Sequence, residues 1–187
     1  MNVYDFDKTI YARDSSIDFY VYNLKKDWTL LRFFPKQVVA MIRYKLKLIP
    51  KTQMKQVFYV YMKTIVNMED RVKGFWISHR KYLRDFYLSQ KKTDDVIISA
   101  SPTFLLQPLI DEWGCVLIAS VVDQKTGQSG ENCWGSEKVK RFAELYSLNL
   151  VDDFYSDSLS DTPLALYSKK AFLVSSTQIG PWPFTDR

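Results

Sequence analysis

Two aspartates, Asp5 and Asp7, stand one residue apart in the opening run Met-Asn-Val-Tyr-Asp-Phe-Asp-Lys-Thr, with Thr9 just beyond. In an extended segment alternate side chains point the same way, so both carboxylates reach one spot beyond a strand end. Paired carboxylates there suit a hard divalent cation, and one of them is free to act as nucleophile or acid. A solvated loop with two nearby aspartates is the plainer reading, and the remaining polar groups decide between the two. Ser99 follows the apolar run Asp95–Ile98, Lys138 opens a helix, and Asp157 and Asp161 follow Phe154–Ser156. Singly, each has an ordinary use: a helix cap for Ser99, a solvated lysine for Lys138, a turn and a cap for the two aspartates. Their joint occurrence in this order, each after a strand, sets them apart, because ligands bind at the carboxyl ends of parallel strands.

The elements that must carry these groups read as alternating strands and helices. Residues 1–5 form a short buried strand, Asp95–Ser99 and Cys115–Ala119 two more, and Phe154–Ser156 and Ala171–Val174 the last two. Helices are expected over Thr103–Trp113, from a Ser136 cap to about Leu145, and briefly over Pro163–Tyr167, with a hairpin in the turn-rich stretch 121–134. Strands alternating with helices call for a parallel α/β sheet with crossovers.

Between Asp14 and Asp94 the character changes. Asp14 or Ser15 caps a helix with Ile17, Tyr20, Val21 and Leu24 on one face. Pro35 begins a second helix, striped by Val38, Val39, Ile42, Leu46 and Ile49, and Pro50 ends it. Met54 through Ile65 and Val72 through Leu88 supply two more stripes, and Gly74 is the single glycine of the segment. Residues 15–92 hold 17 lysines and arginines against 5 acidic residues, a local charge of +12. The remainder carries −7, so the overall +5 hides a boundary.

The 187 residues suffice for a sizeable core, and the hydrophobic and aromatic shares of 47% and 16% describe a globular chain. No aliphatic run approaches the length of a membrane span, and no secretory signal precedes the aspartate pair. Cys115 and Cys133 read as reduced thiols in a cytoplasmic protein. The single histidine, His79, lies in a basic helical stretch, which argues against a Ser-His triad, and no glycine-rich phosphate loop is present.

Asp5-Phe-Asp7-Lys-Thr9, Ser99 after its apolar strand, Lys138 in Gly-Ser-Glu-Lys, and Asp157-Ser-Leu-Ser-Asp161 resemble the four motifs of the haloacid dehalogenase superfamily. The spacing is similar to its phosphoserine-phosphatase-like branch, where a helical cap follows the first motif. The resemblance implies a Rossmann-like core over residues 1–14 and 93–187, with an all-α cap over 15–92. It further implies a Mg²⁺-dependent phosphomonoester hydrolase in which Asp5 is the nucleophile and forms an aspartyl phosphate. Asp7 is the general acid and base, and Mg²⁺ is held by Asp5, the Asp7 carbonyl and Asp157. Thr9, Ser99 and Lys138 bind the phosphoryl group, Asp161 stands behind them holding Lys138 or a metal-bound water, and Asp14 takes part in substrate selection. The aspartate at position 7 favours hydrolysis over dehalogenation, which needs no acid there.

Bulky apolar groups mixed with cations in the cap fit either the cap's own core beneath a solvated basic face or a surface for an anionic membrane interface. Similar caps occur in phosphatidylglycerophosphate phosphatases of the same branch. The expected substrate is therefore a lipid phosphate, phosphoserine or another small phosphomonoester, with peripheral membrane contact and no nucleic acid partner. The competing reading of the same residues is a basic, aromatic module for membrane or nucleic acid on a relict core.

Overall fold

The computed structural model describes residues 1–183; the last four of the core segment expected at 93–187 lie outside the described residues. Six strands form one sheet: β1 (Val3–Tyr4), β2 (Val96–Pro102), β3 (Val116–Ser120), β4 (Asp153–Ser156), β5 (Lys170–Val174) and β6 (Ile179–Pro181). Their order is β3-β2-β1-β4-β5-β6, with every pair parallel except β5 with β6. This is the expected α/β architecture with one addition, the short antiparallel edge strand β6, whose Ile-Gly-Pro sequence carries no strand signal.

Alternation sorts the strand residues onto two faces. Val3, Val96, Ile98 and Phe154 point to the face covered by α7 (Ser136–Leu145) and α8 (Thr162–Ala165). Tyr4, Ile97 and Tyr155 point to the other, under α6 (Thr103–Trp113) and part of the long helical segment between β1 and β2. That segment comprises α1 (Ser15–Lys26), α2 (Phe34–Lys45), α3 (Lys51–Tyr59), α4 (Met68–His79) and α5 (Asp85–Leu88), with 3₁₀ turns between them. It shares a hydrophobic cluster with the sheet: Tyr87 of α5 meets Tyr4 edge-on at 4.8 Å, and the Trp76 indole of α4 donates to the Leu105 carbonyl at 2.6 Å.

Several expectations about this segment change. Asp14 does cap α1, accepting from the Ile17 N–H at 3.0 Å, but α1 buries Phe19, Tyr20 and Asn23 while Ile17 and Val21 stay exposed. α2 starts at Phe34, with Pro35 in its first turn, one residue before the expected start, and it ends at Lys45 rather than Pro50, which precedes α3 instead. Within the helix the apolar stripe faces outward, with Gln37 and Ala40 buried and Val38, Val39, Ile42 and Leu46 exposed, whereas Ile49, past the helix end, is buried. The stretch from Val72 to Leu88 breaks after His79, because Arg80–Tyr82 turns before α5 begins. In the core, Gly135 rather than Ser136 precedes α7, and residues 121–134 form no strands beyond a single bridge from Val122 to Ser129.

Candidate active site

The switch point of the sheet lies at β1, flanked by β2 and β4, and the polar groups gather beyond the carboxyl ends of these three strands. After Tyr4 the Asp5 N–H still pairs with the Tyr155 carbonyl at 2.8 Å, and then the chain curls. The Phe6 carbonyl accepts from the N–H groups of Thr9, Ile10 and Tyr11, and Lys8 takes a left-handed φ of 60° to permit this. Such backbone is uncommon outside glycine and clusters at functional sites. The curl turns Phe6 into the core against Tyr11 and Trp76, and leaves Asp5 and Asp7 in the wall of one cavity of about 300 Å³.

Lys138, on the first turn of α7, is 1% exposed and reaches back to Asp5 Oδ1 at 2.5 Å and Asp161 Oδ2 at 2.7 Å. Asp161 also accepts from the Ser156 hydroxyl at 2.8 Å, and its Oδ1 is buried with no hydrogen-bond partner. Burial alone would lower the Lys138 pKa, but Asp5 and Asp161 outweigh it and raise it well above an ordinary lysine. Burial pushes Asp5 up despite Lys138, because Asp161 and Asp7 share the same space. Asp7 is likewise raised by burial and by Asp14, against hydrogen bonds from Ser101 and Ser15. Asp157 lines the same cavity, and burial raises its pKa too.

The floor thus gathers Asp5, Asp7, Asp157 and Asp161 around one buried lysine, an excess of oxygen ligands and negative charge that fits a hard divalent cation. Among the described residues no three acidic, histidine or cysteine side chains close up as a metal cage. Two carboxylates with a backbone carbonyl, the set expected from sequence, fit Mg²⁺, which keeps several waters. The orphaned Asp161 Oδ1 is a further acceptor in the same wall.

Some expected residues sit differently. Ser99 is fully buried in the middle of β2 and does not line the cavity; its hydroxyl accepts from the Ser101 N–H at 3.0 Å. Thr9 is fully buried behind Asp5, 3.5 Å from Oδ2, and does not line the cavity. Asp14 lines the cavity while capping α1. Residues not singled out by sequence also enter. Ser101 donates to Asp7 Oδ2 at 2.5 Å and meets the hydroxyls of Ser15 and Ser16; its place two positions past Ser99 was the available signal.

From α3, Lys55 donates to the Ala100 carbonyl at 2.6 Å and to Asn132 Oδ1 at 2.8 Å, and burial together with Lys51 pushes its pKa down to about 8. Lys51 stacks over Trp134 at 4.3 Å and has no carboxylate partner among the described residues. Four residues apart, these lysines share one helix face. Ile17, Met41, Met54 and Phe58 complete an apolar roof. His79 lies apart from the cavity, stacked on Phe75 at 4.2 Å, and both cysteines are free.

Three comparisons bear on this arrangement. The chain aligns in structure with a protein of unknown function from Bordetella pertussis Tohama I, with a TM-score of 0.72 and 18% identity over 91% of this chain and 87% of that one. It also aligns with a phosphoserine phosphohydrolase-like protein from Francisella tularensis subsp. tularensis SCHU S4, at TM-score 0.55 and 15% identity over 91% and 86%. A HAD family hydrolase from Salmonella enterica subsp. enterica serovar Typhi gives TM-score 0.59 and 11% identity over 89% of this chain and 58% of that one. At these identities the likeness speaks for the fold alone, and comparison with curated protein sequences finds no match. The family model for haloacid dehalogenase-like hydrolases matches residues 3–166, which span both the aspartate curl and the Lys138–Asp161 pair. The chain belongs to the haloacid dehalogenase-like hydrolase family.

Proposed function

We propose that the protein is a Mg²⁺-dependent phosphomonoester hydrolase working through an aspartyl phosphate on Asp5. The observation that supports this best is the meeting of Asp5, Asp7, Lys138, Asp157 and Asp161 in one cavity at the ends of β1 and β4. Asp5 attacks phosphorus as the bond to the leaving oxygen breaks, and Asp7, whose raised pKa favours holding a proton, donates it to that oxygen. Asp7 then takes a proton from water, the water oxygen attacks phosphorus, and the bond to Asp5 breaks to release inorganic phosphate. Lys138 stays charged throughout and stabilises negative charge on the phosphoryl oxygens, with Asp161 fixing its position. Ser99, buried off the cavity wall, accepts from the Ser101 N–H and so steadies the wall residue Ser101. Thr9 supports Asp5 from behind. Mg²⁺, held by Asp5, Asp157 and the Asp7 carbonyl, would neutralise the charge that otherwise sets carboxylate against phosphate.

The helical roof acts as a cap that selects the leaving group. Its two lysines and apolar side chains favour a leaving group with apolar surface and a second anionic site, a description that suits a lipid phosphate better than phosphoserine. Asp14 remains available to an ammonium only while also capping α1. The test is hydrolysis of p-nitrophenyl phosphate with Mg²⁺, wild type against Asp5→Asn, followed by a panel of phosphoserine, sugar phosphates, nucleotides and lipid phosphates. Turnover lost in Asp5→Asn supports the reading. A folded wild type inactive across the whole panel overturns it in favour of a binding module on a relict core.

A further inference from the structure

α2 is amphipathic with its apolar side turned out. It meets α3 through Ala40 and through Gln37, whose Nε2 donates to the Phe58 carbonyl at 3.1 Å. Phe34, Val38 and Ile42, spaced four residues apart on one helix face, are all exposed instead. The segments flanking α2 continue the pattern, with Trp28 76%, Leu46 64% and Leu48 65% exposed. Monomeric proteins rarely leave contiguous apolar surface of this kind in water, so the face has a partner.

Charge identifies the partner's chemistry. Residues 25–48 carry seven lysines and arginines against the single acidic Asp27, all seven are exposed, and none joins an ion pair among the described residues. A second copy of the chain on this face would set one cationic surface against another, which like-charge repulsion opposes. A flat anionic surface with an apolar interior satisfies both features at once, and tryptophan such as Trp28 favours the boundary between the two.

We infer that α2 and its flanking turns dock on an anionic lipid bilayer, apolar face inward and cations among the head groups. No helix of the described residues is long and apolar enough to cross a membrane, so the contact lies in the interface plane. Met41 belongs both to this helix and to the cavity wall, so docking brings the bilayer beside the mouth of the candidate active site. The inference does not rest on the phosphatase reading, since docking is read from binding and catalysis from a soluble substrate.

The test is sedimentation of the full chain with liposomes of phosphatidylcholine alone and of phosphatidylcholine with phosphatidylglycerol. Wild type is expected to bind only the anionic liposomes, with affinity falling at least about tenfold between 0.1 M and 1 M salt. The triple variant Trp28→Gln, Leu46→Gln, Leu48→Gln lies outside the cavity and alters only exposed positions. It should lose at least about tenfold in binding while keeping wild-type cooperative unfolding and wild-type turnover of p-nitrophenyl phosphate. Wild type that ignores anionic liposomes overturns the inference, as does a triple variant that binds as well as wild type. So does a wild-type dimer in solution that the triple variant dissolves, which would make the face a self-association surface.

Discussion

Lys55→Met separates what this lysine does for the site from what it costs the fold. The ammonium is held inside by the Ala100 carbonyl and Asn132 Oδ1, and burial with the nearby Lys51 charge lowers its pKa from 10.5 to about 8. The unfolded chain therefore binds this proton more tightly than the folded one, so the folded state gains stability as pH rises from about 8 towards 10.5. Integrating between those two values, the buried charge costs about 3 kcal/mol at pH 7 and about 1.5 kcal/mol at pH 9.5. Methionine fills similar space without a charge, and the tyrosines and cysteines that also titrate in alkali are present in both proteins and cancel. Urea unfolding at the two pH values is thus expected to show the stability of wild type relative to Lys55→Met improving by about 2 kcal/mol on going from pH 7 to pH 9.5. A difference between the two proteins that stays constant with pH would refute the buried ammonium. Because Lys55 ties α3 to the end of β2 beside Ser99 and Ser101, the same variant should lose about tenfold in kcat/KM.

Lys138→Met would leave Asp5 and Asp161 buried without their cation, and should destabilise the metal-free protein by about 3–5 kcal/mol in urea at neutral pH; unchanged stability would show that the pair is not buried as described. Asp7→Asn removes the acid and base, so turnover of a substrate with a poor leaving group should fall about 10²–10⁴-fold with folding intact; near wild-type turnover would assign the proton transfer elsewhere. Gly127→Ala should destabilise by about 1–3 kcal/mol in a thermal melt, since φ is +72° and a Cβ there would stand 2.4 Å from the Tyr59 carbonyl oxygen; an unshifted melting temperature would mean that the loop does not rest on α3.

Much of the core was legible because local rules and tertiary demands agree there. β-branched runs gave β2 and β3, and the two-residue spacing of Asp5 and Asp7 placed both carboxylates in one wall, with Phe6 between them in the core. Ser101 is harder to read from sequence because Pro102 reads as a strand stop, yet β2 continues to Pro102 across an irregular register opposite Ser120. The Lys55 contact joins residues 77 positions apart, and no local pattern encodes that. Periodicity identifies α2 as a helix but leaves open whether its apolar stripe faces the cap's own core or a membrane. A stripe reports that a face will be covered, not that the chain itself covers it. On α1 the face of Ile17, Tyr20, Val21 and Leu24 is only partly covered, while the helix buries the polar Asn23 through a bond to its own backbone, Nδ2 to the Phe19 carbonyl at 2.8 Å.

The central claim is that Asp5 carries the phosphoryl group, and the most direct measurement is acid quenching during turnover with Mg²⁺, followed by peptide mass mapping. One added phosphoryl group on the peptide containing Asp5, absent from Asp5→Asn and absent when Mg²⁺ is withheld with EDTA, is the predicted result. Turnover that persists in Asp5→Asn, or a phosphoryl group found on another residue, would contradict the account.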